Sequence, residues 1–133
     1  MRDLSAIIQF WTGVPSPSPN GVRLVAARSI LAAKAAMRET LPLGMVHDPA
    51  VEILISVYVS GAATGQMRHD AACAAAGVTA SVAARWLMEL ERQGLVVVTT
   101  GAGGKWVALS DKGFAQVTRA IDAVLAAQAT LLG

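Results

Sequence analysis

The chain holds one cysteine, Cys73, in 133 residues, so it can close no disulfide within itself, which fits a reducing compartment. His47 and His69 are its only histidines, too few beside one thiol for a Cys/His zinc site. Charged side chains are scarce at 15%, against about 25% in ordinary soluble chains. Hydrophobic residues reach 54%, which excludes a disordered polymer and leaves too few charges to cover a small surface. An apolar face buried against a second copy is therefore expected. No apolar run approaches the roughly 18 residues of a membrane span, because Glu52 and Asp122 interrupt the best candidates. The start Met1-Arg2-Asp3 leads into a short apolar stretch broken by Gln9, Thr12 and Gly13, which does not read as a secretory signal, and the cytoplasm is the expected location. A net charge of +2 is too small to imply a nucleic-acid partner by itself.

What is present reads as one domain with an appended arm, residues 1–19 and then 20–133. Leu4, Ile7, Ile8 and Trp11 recur at helical spacing, and Pro15, Pro17 and Pro19 then impose an extended linker. Asn20 opens a first helix to about Thr40 with Val22, Ala26, Ile30, Ala33 and Met37 on one side. Asp48-Pro49 starts a second, expected to reach Ser60 with Val51, Leu54, Ile55, Tyr58 and Val59 inward, although Ile53, Ile55, Val57 and Val59 also alternate as a strand would. Gly61 to Gly65 reads as a loop and Gln66-Met67 as a very short strand.

An alanine-rich helix from Arg68 to Ala76 stops at Gly77, and Thr79 caps another to Gln93 with Ala83, Trp86, Leu87 and Leu90 along one face. Two helices joined by a short glycine-containing turn are the layout of a helix-turn-helix. Leu95 to Thr99 and Trp106 to Leu109 form a hairpin reversed by Gly101-Ala102-Gly103-Gly104. Ser110 or Asp111 then caps a last helix whose Phe114, Val117, Ile121, Val124, Gln128 and Leu131 make a near-heptad seam. The expected fold is mainly α with a small β-hairpin wing, an α+β winged helix-turn-helix flanked by N- and C-terminal helices.

In this order the elements resemble the MarR-type winged helix-turn-helix regulators over roughly Asn20 to Ala127. The resemblance is carried by Ala84-Arg85-Trp86-Leu87, by Leu90-Glu91-Arg92-Gln93-Gly94-Leu95-Val96, and by Leu109-Ser110-Asp111-Lys112-Gly113. It implies a homodimer on palindromic operator DNA, with terminal helices making the dimer, and a small-molecule effector between the dimerisation and DNA-binding lobes. The dimer seam falls on Phe114, Val117, Ile121, Val124 and Leu131. Trp11, Tyr58 and Trp86 are candidate walls of an effector pocket, with packing in the core as the preferred reading of all three. The wing departs from the family pattern: Val97, Val98, Thr99, Thr100 and glycines stand where an Asp-x-Arg element and a further basic residue are usual.

The chemistry of the fourth helix stands apart from the resemblance. Ser81, Arg85, Met88 and Arg92 lie opposite its apolar face, so hydroxyl and guanidinium groups project together as major-groove readers do. Arg85 is the expected base reader, in competition with a plain ion pair to Glu89 one turn on. Thr79 and Ser81 offer hydroxyls to a phosphate, Arg68 and His69 the flanking backbone, and Lys105 a single cation on the wing. Arg68, Arg85, Arg92 and Lys105 on two subunits give a salt slope of at most about −7.

Gly101 to Trp106 superficially resembles a phosphate loop, but the first glycine is misplaced and no Ser or Thr follows Lys105, so the cradle fails. No motif marks a catalytic site, a cofactor or a metal; Cys73 reads as a packed small residue, a redox thiol being the minority reading. The alternative to a regulator is a winged-helix protein-interaction adaptor with little or no DNA binding, favoured by the uncharged wing.

Overall fold

The computed structural model describes residues 18–41 and 47–132. The amphipathic arm, with Trp11, lies outside them. Helix α1 spans Pro19–Thr40. Its cap is Ser18, two residues before the expected Asn20, because Ser18 Oγ accepts the Gly21 N–H at 3.0 Å while Pro19 supplies a preset φ at the first position. Asn20 instead accepts from Arg23 Nη1 at 3.1 Å.

Helix α2 spans Pro49–Thr64 and overruns the expected end at Ser60. Gly61 stays helical, and the left-handed turn needed to stop the helix falls on Gly65, at φ 82°. Residues Glu52, Ile53, Ile55, Ser56, Val57 and Tyr58 are all buried, whereas Val51 is exposed. A helix buried nearly all round needs no single apolar stripe, which is why helix and strand periods both fitted its sequence.

Strand β1, Met67–Arg68, leads into α3, His69–Ala75, and then α4, Ala80–Arg92. Gly77 at φ 70° makes the turn, and α3 and α4 meet at 109°, within the range of a helix-turn-helix. Strands β2, Val96–Gly101, and β3, Gly104–Leu109, leave only Ala102 and Gly103 between them. Both strands run closer to the tip than expected, since Gly103 and Gly104 alone take the positive φ angles of the reversal. The wing is an antiparallel three-stranded sheet ordered β1-β3-β2, with Met67 opposite Val107 and Arg68 opposite Trp106. Helix α5 spans Asp111–Leu132, capped by Ser110, whose Oγ accepts the Gly113 N–H at 2.9 Å.

Two apolar cores share α2. One joins Ile53 and Val57 to Ala72, Ala76, Ala83, Leu87, Leu90 and Val107 of the helix-turn-helix and wing. The other joins Ile55 and Tyr58 to Ala27 of α1 and to Val117 and Ile121 of α5. The central helix thereby holds the α1/α5 pair and the winged lobe in one mass. No single described helix is long and apolar enough to cross a membrane.

Candidate nucleic-acid interface

Burial of Ala83, Leu87 and Leu90 against the scaffold settles which way α4 faces. At about 100° per residue, their opposite side carries Ser81, Arg85, Met88 and Arg92, all exposed, with Met88 at 69%. Thr79 takes the extended backbone of an N-cap, yet its hydroxyl makes no cap bond and lies 3.5 Å from Ser81 Oγ. Two hydroxyls thus sit together at the exposed start of the helix, where backbone N–H groups favour an anion.

Arg85 has no ion pair or hydrogen bond among the described residues. Its competitor for an alternative role, Glu89, is engaged elsewhere: Arg92 Nε donates to Glu89 Oε2 at 2.8 Å and Gln93 Nε2 to Oε1 at 2.9 Å. Hydrogen bonds from Arg92, then Gln93, hold the Glu89 carboxyl down to about 2. The Glu89 carboxylate therefore offsets the charge of Arg92 and leaves that of Arg85 open.

Trp86 does not sit in the core stripe assigned to it from sequence. It is 40% exposed, beside Val82 at 37%, and the two line a shallow depression with Arg85 and Glu89. Its position lies at the rim of the buried stripe formed by Ala83, Leu87 and Leu90. Tyr58 is buried in the other core and stacks on Phe114 at 5.7 Å between ring centroids. The two aromatics therefore do not share a wall. The apolar cavity beside α2, about 350 Å³, is instead lined by Ile30, Leu54, Ile55, Leu95, Val117 and Val124 among others, with Gln116 as its polar side chain.

The wing is less bare of charge than its own sequence. Pairing of β1 with β3 brings Arg68 over the Trp106 ring at 4.8 Å, and its Nη1 donates to Gly103 O at 2.8 Å. That cation–π contact and hydrogen bond hold Arg68 against the wing, on the same strand-and-turn region as Lys105. Only strand pairing across 38 residues of chain, between Arg68 and Trp106, reveals it. His69 is half-buried, with Nδ1 3.7 Å from Cys73 Sγ. Burial pushes the buried Cys73 thiol up, with Asp70 adding to the shift, which disfavours the thiolate that a redox sensor needs.

The seam on α5 divides. Val117 and Ile121 are buried within the chain, packed with Ala27, Ile55 and Tyr58, rather than exposed along the expected seam. Phe114 and Leu131 are exposed, Leu131 at 86%, and Val124 is half-buried. The near-heptad period of α5 does not by itself separate residues packed within the chain from exposed ones, because both fall on the same stripe.

No family model and no curated protein matches the chain. Among solved structures it is similar to a MarR family transcriptional regulator from Silicibacter pomeroyi DSS, at 20% identity and a TM-score of 0.52, over 82% of this chain and 68% of that one. The chain thus shares with that MarR family protein a mostly helical winged-helix fold bearing a small three-stranded antiparallel sheet.

Proposed function

We propose that the protein is a homodimeric, sequence-specific DNA-binding transcriptional regulator that reads a palindromic operator through α4. The observation that carries this reading is the open guanidinium of Arg85 on an outward helix face beside Ser81 and Met88. Arg85 donates to a guanine edge, Thr79 and Ser81 hold the adjoining phosphate, and Arg68 and Lys105 approach the backbone from the wing. Enrichment from random duplexes at two salt concentrations tests it. Specific, symmetric sites and a salt slope no steeper than about −5, for the three open cations on each subunit, are expected. A pool that returns no enriched sequence and no salt response favours the adaptor.

Arg85→Ala is expected to weaken operator binding by about 1 to 3 kcal/mol and to relax one position in each half-site. Unchanged selectivity removes Arg85 as the reader. Glu89→Gln should do the reverse by releasing Arg92: tighter binding at low salt and a slope steeper by about one per subunit, read by titration across a salt series. A weaker complex would mean that Glu89 itself touches DNA.

Subunit pairing in this proposal uses the exposed end of α5 with α1. Leu131→Asp is expected to shift sedimentation toward monomer while leaving the fold intact, because that side chain is 86% exposed in the isolated chain and contributes little to its core. A dimer untouched by Leu131→Asp places the contact elsewhere. If an effector regulates binding, the cavity lined by Leu54, Ile55 and Val117 calls for a mainly apolar ligand oriented by Gln116.

A further inference from the structure

We propose that Val82 and Trp86 form an apolar reader on α4 that selects thymine by its 5-methyl group, next to the base held by Arg85. The inference rests on the DNA-binding reading above and specifies what that helix recognises. Val82 and Trp86 are one helical turn apart and adjacent on the surface. Both leave apolar surface in water, although α4 already anchors itself through Ala83, Leu87 and Leu90. They border a depression whose other lining residues are Arg85 and Glu89.

The chemistry of that depression narrows its occupant. Both Glu89 oxygens accept from Arg92 and Gln93, so the carboxylate is not free to take a cytosine amino group. What remains beside the guanidinium is aliphatic and aromatic surface. Among the base edges of the major groove, the thymine methyl is the apolar group that matches it. A helix rise of about 1.5 Å per residue puts Val82 about 4.5 Å along the axis from Arg85, against a base rise of about 3.4 Å. The thymine should therefore lie one or two base pairs from the position that Arg85 reads. Continuity of the apolar patch with Arg85 favours the same duplex over a separate protein partner.

The test uses the full chain and its selected duplex, with uracil replacing thymine one position at a time so that only the methyl is lost. Wild-type protein is expected to lose about fourfold in affinity at one or two thymines beside the Arg85-dependent position, the scale of one buried methyl group. Trp86→Ala should bind thymine and uracil duplexes alike. Val82→Ser gives the same readout should the tryptophan variant fail to fold by circular dichroism. Equal binding of both duplexes by wild type, a penalty that survives in both variants, or selected sites without thymine beside that position would overturn the inference while leaving DNA binding in place. A chain that enriches no duplex at all overturns the DNA-binding reading and this one with it.

Discussion

Gly113→Ala is expected to destabilise the protein by about 3 kcal/mol or more, enough to remove much of the stability of a domain this size. A β-carbon at Gly113 would stand 1.9 Å from the Leu95 carbonyl oxygen and 2.8 Å from its carbonyl carbon. Both are backbone atoms, and that same oxygen accepts the Ser110 N–H at 3.0 Å, so neither end of the contact can swing away. Helix propensity points the other way, since alanine is better than glycine inside a helix by about 1 kcal/mol. The clash outweighs it: the first turn of α5 would have to leave the junction where α4 passes into β2. The urea midpoint of the variant, followed by tryptophan fluorescence, measures the outcome. A midpoint equal to or above the wild type's would mean that α5 does not start against Leu95.

Arg38→Met carries the second large expected loss, about 3 kcal/mol. Glu52 is 0% exposed on α2, and its Oε1 accepts from Arg38 Nη1 of α1 while Oε2 has no partner among the described residues. Removing the guanidinium leaves a buried carboxylate without its counter-charge, a change that costs about 3 to 5 kcal/mol in comparable pairs. The lower end applies because the Arg38 side chain keeps 26% of its exposure. Glu52→Leu should cost less, since the freed arginine can turn toward water. The double variant should be more stable than Arg38→Met alone, because an apolar pair replaces a stranded charge. A double-mutant cycle in urea checks both signs. A loss under about 1 kcal/mol for Arg38→Met would show that the pair adds little. Arg38 also packs its guanidinium against Gly77, about 3.3 Å from where a β-carbon would be, so this ion pair ties the α1/α2 region to the turn of the helix-turn-helix.

Several features were legible because they depend on neighbours in the chain. The turn at Gly77 and the stop at Gly94 follow from residues that tolerate positive φ, and both take it, at 70° and 75°. The start of α5 follows from Ser110, whose hydroxyl is placed to cap three residues on. The orientation of α4 was readable for Ala83, Leu87 and Leu90, which lie on one narrow stripe. Trp86, three residues from Ala83, shares the helical spacing of that stripe but lies at its edge and stays 40% exposed, which the spacing alone does not reveal.

The order of elements, the helix-turn-helix and the outward hydroxyl and guanidinium groups of α4 are properties of local periodicity, capping and turn chemistry, and those act over a few residues. Which groups stay charged and open is another matter. Arg85 is open because Glu89 turns to Arg92, Arg68 reaches the wing because β1 pairs with β3, and Ile121 faces inward because α1 and α2 close over α5. Each outcome is a competition among partners brought together by packing, and a linear pattern states the candidates without stating which contact has the lower free energy.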